Sequence, residues 1–188
     1  MATKPLKIVF ELDKDDVAYF RALFAKARRN ASKLDPAAVM AEGKALVKKI
    51  RRSKRVPNFV VQAVEPLDDL IALLEDKDYS VPGNTRKEIL ATLAYFSDPN
   101  DLIPDSIPGL GYLDDAIMTR LLEEEFEAEL WGYRKFRSFR DRAEQRPWTS
   151  AARERLPGRM ADENAKIREQ IKERRNKKKG KGFLGLDW

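Results

Sequence analysis

The sequence predicts an all-α fold, a small helical domain of about five helices, and three observations support this prediction. Apolar residues recur at helical spacing through most of the chain, as Val64, Leu67 and Ile71 do. Capping residues and prolines stand where several of these segments begin. Only residues 6–12, LKIVFEL, have the composition of a short strand. We therefore expect packed helices, with at most one short strand at the N-terminus.

The first two helices are predicted from their N-terminal caps. Asp13 and Asp16 have the spacing of a capping box, and they open a helix that extends to about Asn30. Asp35 followed by Pro36 places a capping residue before a proline at the first helical position, which is the favoured order. A second helix is therefore expected from Pro36 onward.

Prolines and a second capping pattern delimit the next two helices. The third is expected over about residues 58–75, where Pro66 must kink or split it because the ring removes a backbone donor. Thr85 and Glu88 form a capping-box pattern for the fourth helix, which ends before Pro99. The two helices are joined by a polar connector.

The C-terminal half begins with a long helix predicted over about residues 112–143. Beyond Pro147 apolar positions become sparse, and the composition is that of a charged helix fraying into a disordered basic tail. We therefore divide the chain into a basic N-terminal helical region (1–57), a helical region that belongs to the same fold unit (58–145) and a charged, partly disordered tail (146–188).

Charge is strongly segregated along the chain. Residues 1–57 hold 15 Lys/Arg and 6 Asp/Glu, residues 58–133 hold 4 and 17, and residues 134–188 hold 18 and 8. The three segments carry +9, −13 and +10, so an acidic centre lies between two basic ends. Either the ends fold back and neutralise the centre, or they bind an external anion such as nucleic acid or an anionic membrane.

The chain contains no cysteine and no histidine. The chain therefore cannot form disulfides or use thiolate chemistry, and it lacks the side chain that most often serves as a general base and zinc ligand. No stretch approaches the ~20 apolar residues that a membrane-spanning helix needs. These features favour a cytoplasmic protein without catalytic activity, although an enzyme that works with carboxylates, lysines, tyrosines or serines stays open.

Residues 95–115, YFSDPNDLIPDSIPGLGYLDD, form an unusual loop between two predicted helices that would lie antiparallel. Its prolines lower the entropy of the unfolded chain, and Asp114 and Asp115 suit the first turn of the following helix. We expect a packed, rigid connector in a helix-loop-helix core, which is what a recognition surface requires. The side chains expected to be buried under the loop are Leu102, Ile103, Ile107 and Leu110.

A metal site is an alternative interpretation of the same loop. Its aspartates could converge, and carboxylate oxygens are ligands that Mg²⁺ and Ca²⁺ prefer. The spacing does not fit an EF-hand, because a proline follows the first acid and no glutamate stands at the twelfth position. The candidate ligands are Asp98, Asp101, Asp105, Asp114 and Asp115.

The loop resembles the signature of the YkvA-like family of uncharacterised bacterial domains (DUF1232), with the resemblance over residues 91–116. That signature is close to Y-x-x-x-P-x-D-L-I-P-D-x-I-P-x-x-G-x-x-D-D. The resemblance implies a helix-loop-helix hairpin, and many members are assigned to membranes, but it implies no activity. The residues that we assign to the motif surface are Asp98, Pro99, Asp101, Leu102, Ile103, Pro104, Asp105, Pro108, Gly111, Asp114 and Asp115.

Residues 131–142, WGYRKFRSFRDR, interleave aromatic residues with cations. This pattern is typical of a surface that stacks bases and neutralises phosphates, or of one that lies at a membrane interface. The alternative is that the aromatic residues face the core while the arginines are solvated. The candidate anion-binding residues are Trp131, Arg134, Lys135, Arg137 and Arg140.

Three hypotheses for function follow from the sequence. The first is a non-catalytic interaction module that presents the Asp-Leu-Ile-Pro-Asp loop to a protein partner. The second is binding of an anionic surface, at the periphery of a membrane or on nucleic acid, through the basic ends. The third is a carboxylate protein that binds Mg²⁺ or Ca²⁺, although no cofactor is required by the first two.

Overall fold

The computed structural model describes residues 11–53, 56–97, 102–103, 107, 110–145 and 149–184. Within these ranges the chain is built from eight α-helices and two short 3₁₀ helices, at Ala31–Lys33 and Ala94–Ser97, with no strand. The prediction of an all-α fold is confirmed. Residues 6–10 of the expected N-terminal strand lie outside the described ranges. The helices are α1 (Lys14–Asn30), α2 (Pro36–Arg52), α3 (Asn58–Ala63), α4 (Glu65–Glu75), α5 (Gly83–Leu93), α6 (Leu113–Glu125), α7 (Glu127–Glu144) and α8 (Ser150–Leu184).

Two predicted helices are each divided in the structure. The helix expected over 58–75 breaks at Val64, so that Pro66 falls in the first turn of α4, where a proline is tolerated. The long helix expected over 112–143 breaks at Phe126, whose φ and ψ are −103° and 24°. Phe126 is only 3% exposed. Near this residue the apolar positions of the sequence move from one face of the predicted helix to another. This change of face marks the position of the break.

Local capping was predicted correctly for two helices and wrongly for a third. The carboxylate of Asp13 accepts bonds from the amides of Asp15 and Asp16, at 2.8 and 2.9 Å, and that of Asp35 accepts from the amide of Ala37 at 3.2 Å. The capping box expected at Thr85 does not form, because α5 begins earlier, at Gly83. Thr85 lies inside that helix and is buried.

The core is centred on α4, which packs against α2, α6 and α7. The α4 side chains Leu67, Leu70 and Ile71 are at most 1% exposed. Phe136 of α7 is fully buried and its ring lies 5.3 Å from that of Tyr79, in the turn after α4. The middle of the chain, which the sequence shows to be acidic, therefore also supplies the centre of the fold.

Helix α8 packs along α7, so residues 150–184 of the region expected to be a charged, partly disordered tail are helical, while residues 146–148 and 185–188 lie outside the described residues. The apolar residues beyond 150 are sparse, but Met160, Ile167 and Ile171 fall on one side of the helix and are buried. Gly132 of α7 allows the close approach, because a Cβ there would lie 2.5 Å from the Ile171 Cδ1 atom. A narrow stripe is thus enough to dock a highly charged helix. The domain boundaries at 57 and 145 stay predictions.

Candidate functional site at the motif end

The motif is only partly described by the structure. Asp98, Pro99, Asp101, Pro104, Asp105 and Pro108 lie outside the described residues. Leu102, Ile103, Ile107 and the stretch from Leu110 into α6 are described. We use the name motif end for the region formed by the exposed Leu102, Ile107 and Leu110 and the buried Tyr112, Asp114 and Asp115.

Asp114 attaches the loop to the start of α6. Its side chain is buried in the first turn of that helix. The Oδ2 atom accepts hydrogen bonds from the amides of Leu102 and Ile103, at 2.9 and 3.2 Å. A buried carboxylate that accepts two backbone amides holds the loop by its main chain. The sequence analysis placed Asp114 correctly in the first helical turn but not its partners.

Tyr112 is a structural residue of the motif end that the sequence analysis did not identify. It has a left-handed backbone conformation, with φ of 68°, which is uncommon for a residue other than glycine. Its buried ring packs in a cluster with Ile50 of α2 and Val60 of α3. The Nζ atom of Lys49 lies 5.4 Å from the ring centroid. The C-terminal end of α2, with its cations, therefore adjoins the motif.

Three apolar side chains of the motif end are exposed to solvent. Leu102, Ile107 and Leu110 are 42%, 39% and 37% exposed, while Ile103 is half-buried. The expectation of burial under the loop is therefore wrong for Leu102, Ile107 and Leu110. Asp114 holds the loop by its backbone, so these side chains need not be buried to fix its position.

Free cations lie on the two helices beside the motif end. Arg28, Lys44 and Arg51 pair with Glu125, Glu75 and Asp68 of the acidic centre, at 2.5, 2.6 and 2.8 Å. Other cations of α1, α2 and the 3₁₀ helix between them have no hydrogen-bond or ion-pair partner among the described residues. These are Arg21, Lys26, Arg29, Lys33, Lys48 and Arg52.

The arginines of α7 that were proposed as anion-binding residues face acids of the same chain. Arg134 and Arg137 both contact the carboxylate of Asp69, at 2.7 and 3.1 Å. Arg140 lies 2.8 Å from the carboxylate of Asp76. These contacts support the interpretation in which a basic end of the chain folds back on the acidic centre.

Trp131 and Lys135, the other two candidates on α7, face α8. Lys135 donates a hydrogen bond of 2.7 Å to the side chain of Gln170, and its Nζ atom lies 5.2 Å from the Trp131 ring centroid. The guanidinium of Arg174 is 4.0 Å from the same centroid. The indole is therefore flanked by two cations, one of which α8 contributes.

Burial shifts the pKa of three groups near α7, away from the motif end. The pKa of the Glu129 carboxyl is raised by burial, and the Arg175 guanidinium at 2.5 Å opposes this shift. Burial raises the pKa values of Tyr79 and Tyr133 to about 12. These groups lie among helices that hold the fold together.

Within the described ranges, no group of three or more carboxylates is placed to hold a metal ion. Three of the candidate ligands, Asp98, Asp101 and Asp105, fall outside those ranges. Asp114 is occupied by the two loop amides. The described part of the motif end therefore consists of an anchored loop with exposed apolar side chains.

Comparisons with known proteins identify the motif region. A family model described as "Protein of unknown function (DUF1232)" matches residues 85–120. The "Uncharacterized membrane protein YkvA" of Bacillus subtilis (strain 168) is 33% identical over 100 residues, which are 52% of this chain and 88% of that relative. No solved structure matches. Among the described residues, no helix has the length and apolar character required to cross a membrane.

Proposed function

We propose that this chain, which belongs to the DUF1232 family of proteins of unknown function, is a non-catalytic helical module whose motif end binds the surface of an anionic membrane. The observation that carries the proposal is the exposure of Leu102, Ile107 and Leu110 on a loop that Asp114 holds in place. Apolar side chains on an anchored loop can enter the headgroup region of a bilayer without an ordering cost at binding.

The cations of α2, the helix whose C-terminal end adjoins Tyr112, support attraction to an anionic surface, which the aspartates of the motif oppose. Lys48 and Arg52, one helical turn apart at the C-terminal end of α2, have no ion-pair partner among the described residues. Lys49, between them, reaches the Tyr112 ring. Exposed cations on a helix that adjoins the motif end are attracted to anionic lipids, each contributing about 1 kcal/mol when near the surface.

The relative from Bacillus subtilis is described as a membrane protein. Peripheral attachment is compatible with that description and with a described chain that offers no membrane-spanning helix. A protein or a nucleic acid is an alternative partner for the same surface. The experiment below separates both alternatives from lipid. The absence of histidine and cysteine from the sequence supports a non-catalytic role.

Co-sedimentation with vesicles tests the proposal. The wild-type protein should bind vesicles that contain phosphatidylglycerol, bind pure phosphatidylcholine more weakly, and lose affinity as salt concentration rises. The double substitution Ile107→Ser and Leu110→Ser should weaken binding by about tenfold or more, because two apolar groups no longer insert. The matched control is Leu12→Ser with Leu34→Ser, which removes exposed leucines outside the motif.

Two further double substitutions test the contribution of charge to vesicle binding. Lys48→Glu with Arg52→Glu should weaken binding, whereas Arg153→Glu with Arg155→Glu on α8 should have a smaller effect. A wild-type protein that does not bind anionic vesicles would rule out the membrane. Equal losses in both charge pairs would mean that attraction depends on net charge and not on the motif end.

A further inference from the structure

A cleft lies beside the motif end, between α1, α2, the 3₁₀ helix at Ala94–Ser97 and the start of α6. Its volume is about 370 Å³, which is within the range of roughly 300–1,000 Å³ for pockets that hold small molecules. One face of α1 forms a wall of the cleft. The residues of that face are Tyr19, Leu23, Lys26, Ala27 and Asn30.

The other walls contribute aliphatic and aromatic side chains. They include Leu46 of α2, the rings of Tyr95 and Phe96, and Leu102 of the motif. The two rings are fixed by edge-to-face packing, with centroids 5.2 Å apart, and the Tyr95 ring also packs at 5.6 Å on buried Phe24. Tyr19 and Leu102 are 54% and 42% exposed, so apolar side chains at this cleft remain in contact with water.

The cleft also has a substantial polar lining, to which three side chains contribute charge or hydrogen-bonding groups. Lys26 is exposed and has no hydrogen-bond or ion-pair partner among the described residues, and the Asn30 side chain caps nothing. Asp115 is 7% exposed and its polar contacts are made within the protein. A negatively charged ligand group would therefore be attracted to Lys26 and repelled by Asp115.

We propose that this cleft binds one anionic amphiphile, with the apolar body between Leu23, Leu46 and Leu102 and the phosphate or carboxylate at Lys26. The inference rests on the proposed function, because a module at an anionic membrane meets such molecules as lipids. A free fatty acid has the same chemistry and is the second source. Tyr95, Leu102 and Asp115 all belong to the motif. A ligand in the cleft would therefore contact residues of the same motif whose exposed side chains we propose to bind the membrane.

The test uses soluble, monomeric probes with the full-length protein. Calorimetric titrations with dihexanoyl phosphatidylglycerol, below its micelle concentration, and with decanoate should both give saturable binding, and the tighter probe identifies the source. Dihexanoyl phosphatidylcholine, with the same chains and no net charge, should bind more weakly. Equal binding of the two short-chain phospholipids would contradict the role of Lys26.

Two substitutions locate the ligand. Ala27→Trp fills the cleft and should lower affinity by about tenfold or more. Lys26→Glu, which leaves the cleft open, should lower affinity for both anionic probes, whereas Lys33→Glu, at an exposed position outside the cleft, should not. Thermal melts of each variant report whether it is folded. Undiminished binding by folded Ala27→Trp and Lys26→Glu would overturn the proposal, as would a wild type that binds neither anionic probe.

The cleft and the proposed function can fail separately. Ile107 and Leu110 do not line the cleft, so the double serine variant should lose vesicle binding and keep its affinity for the monomeric probes. Ala27→Trp should do the reverse. Vesicle binding without binding of the monomeric probes would overturn the cleft and leave the membrane function standing.

Discussion

Helix α7 carries both apolar side chains and cations, and so does the motif end together with the adjoining end of α2, but the two regions differ in what lies opposite. The cations of α7, Arg134, Arg137 and Arg140, contact acids of α4 and the following turn. On α2, whose C-terminal end adjoins the motif end, Lys48 and Arg52 have no ion-pair partner among the described residues.

The apolar residues of the two regions differ in the same way. Tyr133 and Phe136 of α7 are 3% and 0% exposed, whereas Leu102 and Leu110 of the motif end are 42% and 37% exposed. Apolar side chains thus stabilise the fold in one region and remain exposed to solvent in the other. Apolar or aromatic residues that occur with cations therefore indicate a binding surface only where the folded chain leaves them uncovered.

The largest expected effect lies on α7. Phe136→Ala should lower the free energy of unfolding by about 3–5 kcal/mol, because it removes a fully buried ring and leaves a cavity. Urea denaturation followed by circular dichroism measures this loss. A cost below about 1 kcal/mol would show that α7 does not pack as described.

The next effect concerns the anchor of the motif end. Asp114→Ala should cost about 1–3 kcal/mol, because the amides of Leu102 and Ile103 lose their common acceptor. Hydrogen exchange at those two amides should become faster than in the wild type. Unchanged exchange would mean that Asp114 does not hold the loop, and a rigid motif end would have to be abandoned.

Local features of the chain allowed much of the fold to be predicted. The Asp13 box and the Asp35-Pro36 pair act within one helical turn, so adjacent residues contain the whole signal. The docking of α8 depends instead on Gly132 meeting Ile171, almost forty positions away. Its sparse apolar stripe could not be told from a solvated helix without that surface.

The candidate site was harder to predict, for a similar reason. The sequence indicated which residues of the loop were unusual, but not that Asp114 bonds amides more than ten positions upstream. With that anchor on the backbone, Leu102 and Leu110 need not be buried. The charge pattern left two interpretations open for α7, and only the position of Asp69 opposite its arginines favours one of them.

A pH effect should appear near α7. Burial places the folded-state pKa of Glu129 above the ordinary value of 4.5, against the attraction of Arg175 and with the repulsion of Glu88. The folded protein therefore holds this proton more tightly than the unfolded chain. The contribution to stability is present at pH 4.5 and below and is lost as pH rises through the folded-state pKa.

Glu129→Gln isolates this contribution, since the other carboxylates titrate in both proteins. The stability of the wild type relative to the variant should fall between pH 4.5 and neutral pH, as measured by urea denaturation at each pH. A difference that is constant or rises with pH would contradict the raised pKa.

The smallest effect is expected at the motif end. Leu110→Ala should change the free energy of unfolding by no more than about 0.5 kcal/mol, because the side chain is already exposed. Its urea midpoint should match that of the wild type. A loss comparable to that of Phe136→Ala would mean that Leu110 is buried and that the two regions do not differ.

A single fluorescent label tests most directly whether the motif end is the membrane-binding surface. The sequence contains no cysteine, so Ile107→Cys, and Arg155→Cys on α8 as its counterpart, each provide one labelling position. An environment-sensitive dye is attached at each, and phosphatidylglycerol vesicles are added. Our account predicts a blue shift at position 107 and little change at 155, because only the motif end enters the apolar interface. A shift at 155 alone, or equal shifts at both positions, would contradict it.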